Sequence, residues 1–89
     1  MNNEEMVKDL VWDCVAWLDP NFNQDIEFGD IFKFENDMWI VDITPIEIKE
    51  KKTKCTLRIS KKILTDYIRG MENVFDRPDT KDIVETILF

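Results

Sequence analysis

Residues Asp30 to Ile48 restrict the fold more than any other stretch: Phe32-Lys33-Phe34, then Asn36-Asp37, then Trp39-Ile40-Val41-Asp42-Ile43. With Asn36 and Asp37 as the central residues of a two-residue turn, Glu35 faces Met38, Phe34 faces Trp39, Phe32 faces Val41 and Asp30 faces Ile43. Strand side chains alternate between faces, so this register gathers Phe32, Phe34, Trp39, Val41 and Ile43 on one side. The other face carries Ile31, Lys33, Glu35, Met38, Ile40 and Asp42, a mixed and half-wet surface. A register on which turn and apolar pattern agree is strongly specified. Asn-Asp is a weaker type I′ signal than Asn-Gly, because only glycine takes positive φ without steric cost.

Beyond Ile43 the parity changes, since Ile46 and Ile48 are even-numbered and Thr44-Pro45 intervenes. A β-bulge at Thr44-Pro45 would return Ile46 and Ile48 to the core face, and proline belongs at a bulge or an edge. The alternative is a strand ending at Ile43 and a separate one starting at Ile46. Cys55, Leu57 and Ile59 alternate with Thr56 and Arg58, and a turn at Lys51-Lys52 places Cys55 opposite Ile48 and Leu57 opposite Ile46. Three antiparallel strands make a minimal sheet for a helix to cover.

The flanks supply the helices. Val7, Leu10, Val11, Cys14, Val15 and Leu18 recur at helical spacing within residues 4–18, Glu4 and Glu5 suit the positive end of the helix dipole, and Pro20 stops the helix. Residues 19–29 read as a loop carrying Phe22, Ile26 and Phe28 inward. Ser60 is placed to cap a second helix with Ile63, Leu64, Tyr67, Ile68 and Met71 on one face and Gly70 at its end. A last helix runs from Asp79 to Phe89 with Ile83, Val84, Ile87 and Leu88 as its stripe; its β-branched residues make a strand the runner-up. The expectation is an α+β fold in the order αβββαα: a three-stranded antiparallel meander packed by an N-terminal helix and two C-terminal helices. At 89 residues, 1–89 is one domain.

The chemical inventory excludes most enzyme classes. There is no histidine to act as a base near neutral pH, and Ser60, the one serine, suits a helix cap better than a nucleophile. Two glycines, Gly29 and Gly70, cannot build a phosphate-binding loop, and Cys14 and Cys55 lack zinc-type spacing. Both cysteines read as small buried hydrophobes. Asp9 with Asp13, and Asp76, Asp79 and Asp82, read as solvated acids rather than cation ligands. No enzyme activity, cofactor or metal is expected. The first residues lack the basic-then-apolar pattern of a signal peptide, and no apolar run approaches a membrane span, so a cytoplasmic protein without membrane contact is expected.

What remains is charge. The net charge is −7, yet residues 1–47 hold twelve acids against two bases, residues 48–62 seven bases against one acid, and residues 63–89 six acids against three bases. The basic stretch Lys49–Lys62 is a candidate for phosphate contacts, but the acidic body opposes a polyanion and few aromatics interleave with the lysines. A solvated, edge-protecting turn accounts for it more simply. Trp12 falls outside the apolar stripe, beside Glu5, Asp9 and Asp13; either the loop around Phe22 covers it or it anchors a partner. The expected function is a non-catalytic interaction module. Glu4, Glu5, Asp9, Trp12, Asp13, Asp25 and Glu27 would meet a basic protein partner, such as a nucleic-acid-binding enzyme. Small acidic proteins of phages and mobile elements inhibit in this way, as DNA mimics in a site meant for nucleic acid. The alternatives are a self-associating structural subunit, using Ile31, Met38, Ile40 and Ile87-Leu88-Phe89, and then a nucleic-acid binder through Lys49–Lys62.

Overall fold

The computed structural model describes residues 2–21, 26–45 and 54–88. These form α1 (Asn3–Leu18), β1 (Ile26–Glu35), β2 (Met38–Pro45), β3 (Cys55–Ser60), α2 (Lys61–Ile68), two 3-10 turns (Val74–Asp76 and Pro78–Thr80) and α3 (Lys81–Leu88). The order is αβββαα, and the strands make one antiparallel sheet in the order β1-β2-β3. The class is α+β, as the periodicities required.

Helix α1 starts where the Asn2 side chain accepts a hydrogen bond from the Glu5 amide at 2.9 Å, satisfying one orphan donor of the first turn. It ends at Leu18 because Pro20 disfavours helical geometry at the residue before it, and Asp19 is extended. Val7, Leu10, Val11, Cys14 and Val15 are fully buried.

The β1–β2 turn is left-handed at both central residues, Asn36 at φ 53° and Asp37 at φ 58°, which is type I′ geometry. From Glu35↔Met38 to Phe32↔Val41 the pairing is the one the turn dictates. Beyond that it departs. Phe28, not Asp30, lies opposite Ile43, and the register shifts between Phe28 and Phe32. Gly29, Asp30 and Ile31 together span Asp42, so β1 carries two extra residues, an even number that keeps Phe28 on the same face as Phe32. Gly29 permits the bulge: a Cβ there would sit 3.0 Å from the Asp42 Cβ. Residues 26–29 are therefore strand rather than the end of a loop, with Ile26 buried and Phe28 half-buried.

β3 also corrects the expectation. It pairs directly with β2, as Ile43↔Cys55, Val41↔Leu57 and Trp39↔Ile59. The pairing expected with Ile46 and Ile48, like the Lys51-Lys52 turn, lies outside the described residues. All six paired positions are odd-numbered, so this register joins the two apolar faces without a bulge. It also sets Ser60 opposite Met38, beside the hairpin turn, where the Lys61 amide donates to the Asp37 carbonyl at 3.0 Å. The chain then passes from β3 into α2 with no residue between.

Ser60 caps α2 by accepting from the Ile63 amide at 3.2 Å, and Gly70 closes the helix at φ +72°. Ile63 and Leu64 are buried and Tyr67 half-buried, but Ile68 and Met71, expected on the same face, are exposed because the two-turn helix ends beyond the core. After the 3-10 turns, where the buried Thr80 hydroxyl is shared between the carbonyls of Val74 and Arg77, α3 begins at Lys81 rather than Asp79. It is a helix, not a strand, with Ile83 and Ile87 in the core. Burial of Ile87 removes it from any self-association surface; the Leu88 side chain and Phe89 lie outside the described residues. The core thus lies between one face of the sheet and the three helices. No helix among the described residues is long and apolar enough to cross a membrane.

Candidate functional site

A helix that commits Val7, Leu10, Val11, Cys14 and Val15 to the core must turn Glu5, Asp9, Trp12 and Asp13 outward. Glu4, Glu5 and Asp13 are exposed, Asp9 is half-exposed and Trp12 keeps 37% of its surface. α1 holds four acids against one lysine. That lysine, Lys8, reaches over the rings of Phe28 and Phe32, 5.5 and 5.6 Å from their centroids, on the side facing β1. Glu27 is exposed on β1 opposite Thr44, on a different element from the α1 acids, and Asp25 lies outside the described residues.

Five bases of the other elements and their flanks are engaged in ion pairs. Lys33 pairs with Glu35, Lys54 with Asp42, Lys62 with Asp66 and Asp79, Arg77 with Asp66 and Asp79, and Lys81 with Glu85. Among the described residues no ion pair reaches Glu4, Glu5, Asp9 or Asp13. Within the basic stretch, Lys54 and Lys62 are thus neutralised locally, Arg58 and Lys61 are exposed, and Lys49, Lys51 and Lys52 lie outside the described residues.

Next to the acidic face lies a cluster that periodicity did not assemble. Trp17 from α1, Tyr67 from α2 and Phe75 from the first 3-10 turn meet, with ring centroids 6.4 Å apart for Trp17–Phe75 and 6.3 Å for Tyr67–Phe75. Helical periodicity leaves Trp17 outside the buried stripe of α1 and gives Phe75 no partner; only their shared aromatic character links them. A cavity of about 290 Å³ opens beside the rings, bounded by Gly70, Met71 and Asn73, and Gly70 and Asn73 are both left-handed. The Tyr67 hydroxyl donates to Oδ2 of Asp13. Burial pushes the Tyr67 phenol up, helped by that bond and by the charges of Asp13 and Asp9, so it stays a donor.

Two other features are structural. Asp42, on the outer face of the sheet, is 2% exposed and receives the Thr56 hydroxyl at 2.8 Å and Lys54 at 3.2 Å, which hold its carboxyl below the usual range, the Thr56 bond first. A groove of about 830 Å³ between β3 and α3 is lined by both signs, Lys54 and Arg58 against Asp79, Asp82 and Glu85. The Ser60 hydroxyl, which also faces that groove, is occupied as a cap. Burial pushes the Cys14 thiol up to about 12, which suppresses the reactive thiolate. No group of three or more metal-binding side chains occurs among the described residues. The described surface thus offers an acidic helix face and, beside it, a partly exposed aromatic cluster. No protein-family model, no curated protein and no solved structure matches this chain.

Proposed function

We propose that this protein is a non-catalytic interaction module that sets the outward face of α1 against a basic surface of a partner protein, as an inhibitor occupying a groove meant for nucleic acid. The observation that carries the reading is the segregation of ion pairs. Lys33, Lys54, Lys62, Arg77 and Lys81 are each matched with an acid of their own neighbourhood, whereas Glu4, Glu5, Asp9 and Asp13 have no matching base among the described residues. An unmatched acidic strip steers a cationic partner into encounter and suppresses wrong partners. Trp12, beside Asp13 at the C-terminal end of the strip, supplies the aromatic area in which binding hot spots are rich.

The test is a double charge reversal, Asp9→Lys with Asp13→Lys, compared with Asp76→Lys as a control on the C-terminal half. Proteins retained by the wild-type chain from host lysate should elute as salt rises, be lost to the double variant and be kept by the control. A retained protein should also give up its nucleic acid as the acidic chain is titrated in. Partners that persist at ~1 M salt, where exposed charges are screened over about 3 Å, or that bind the double variant equally, would overturn the proposal.

A further inference from the structure

The acidic strip does not end at Asp13. Around α1, Asp9 and Asp13 stand between Trp12 on one side and Trp17 on the other, and Trp17 opens into the aromatic cavity. Trp17 is 46% exposed and Met71, at the cavity rim, 53% exposed, an apolar surface that no described residue covers. The cavity walls contain no basic side chain. Arg77, the nearest arginine along the chain to Phe75, is bound to Asp66 and Asp79. Tyr67 holds Asp13 by Oδ2, so the carboxylate is oriented while Oδ1 accepts no hydrogen bond from the described residues.

We propose that the cavity formed by Trp17, Tyr67 and Phe75 takes an arginine side chain of the partner, its guanidinium lying on the aromatic faces and donating to Asp13. The inference rests on the acidic-face reading and names what the partner must present. Complementarity selects a cation: the cavity walls hold no charge of their own, and the Asp13 carboxylate held on the Tyr67 hydroxyl gains a counter-ion from a cation and nothing from an apolar side chain. Between the two common cations, guanidinium is planar, weakly hydrated and able to stack and to hydrogen-bond in one pose, whereas ammonium is a compact, strongly hydrated charge. Three rings from three elements, one of them carrying an oriented acid on its hydroxyl, fit the first.

The probe is a blocked Gly-Arg-Gly tripeptide, with its citrulline, lysine and leucine counterparts, titrated into the labelled full chain at low salt and followed by nitrogen–proton correlation spectra. The arginine peptide should move the Trp17 indole and the Phe75 and Tyr67 amides with millimolar affinity. The citrulline peptide, which keeps shape and loses charge, should bind about tenfold more weakly or not at all. Phe75→Leu keeps the apolar volume and removes a ring, and should abolish the arginine shifts with the remaining spectrum intact; Trp17→Ala, at an exposed position, should do the same. Equal binding of the leucine or citrulline peptide, no shift at these residues, or shifts that follow protein concentration without peptide would each overturn the assignment, the last by making a second copy the occupant. The two proposals fail separately. Partner retention that needs Asp9 and Asp13 but ignores Trp17→Ala and Phe75→Leu removes the cavity alone; retention indifferent to all four removes the acidic face.

Discussion

Replacing Gly29 with alanine should destabilise the fold through a single contact. The new Cβ would stand 3.0 Å from the Asp42 Cβ and 3.6 Å from the Asp42 carbonyl oxygen. Carbon atoms prefer about 3.5–4.0 Å, so one of the two strands must give by a few tenths of an ångström. Overpacking of this kind costs about 1–3 kcal/mol, while loss of glycine's freedom in the unfolded chain returns about 0.4–1 kcal/mol. The net expectation is a loss of about 1 kcal/mol, or about 4–8 °C in Tm for a chain of this size. Urea unfolding followed by tryptophan fluorescence measures it, with the midpoint lowered and the slope unchanged. Because the displaced group is Asp42, the loss should overlap with that of Thr56→Val, which removes the 2.8 Å hydrogen bond to the same carboxylate, and the double variant should lose less than the sum. A Gly29→Ala protein as stable as wild type would refute the close approach, and strict additivity would refute its route through Asp42.

Three further outcomes are expected. Asp37→Gly relieves a non-glycine residue at φ 58° and keeps the carbonyl that accepts from Lys61, so it should raise stability by about 0.5–1 kcal/mol, read as a higher urea midpoint; a lower midpoint would show the Asp37 side chain to be structural. Asp66, held by Lys62 and then Arg77, and Asp79, held chiefly by Arg77, have carboxyls below their ordinary value, so their contribution is complete above about pH 3.9 and is lost as pH falls through the lower folded values. Tm should therefore drop on the acid side of about pH 4, less steeply in Arg77→Leu, and an identical acid limb in the two proteins would contradict this. In a Cys55→Ser background Cys14 should react with a thiol reagent near pH 8 only as fast as the chain unfolds, since burial raises its thiol to about 12; labelling at the rate of a free thiol would overturn that.

The hairpin was legible because its two signals are local and independent: Asn36 and Asp37 tolerate left-handed backbone, and the aromatic alternation selects the same pairing. The bulge at residues 29–31 was not, because an even insertion leaves the alternation of Phe28, Phe32 and Phe34 unbroken. For β3, Cys55, Leu57 and Ile59 alternate equally well against Ile46 and Ile48 across a bulge or against Ile43, Val41 and Trp39 without one. What separates the two is the contact between Lys61 and the hairpin turn, which no pattern announces. The outer face of α1 could be read from helical periodicity alone. The aromatic cavity could not, since Trp17 and Phe75 come from opposite ends of the chain and meet only once the fold exists.

Strands that follow one another, a two-residue turn and a strand running straight into a helix are all short-range closures, and such topologies fold quickly. α1 is the exception: its Asp13 waits for Tyr67, 54 residues later. During synthesis, when the N-terminal part leaves the ribosome first, the apolar stripe from Val7 to Val15 stays bare until the sheet and α2 have followed. α1 thus emerges before the elements that cover it and docks only once they have followed, and in that interval its apolar stripe is open to chaperones and proteases.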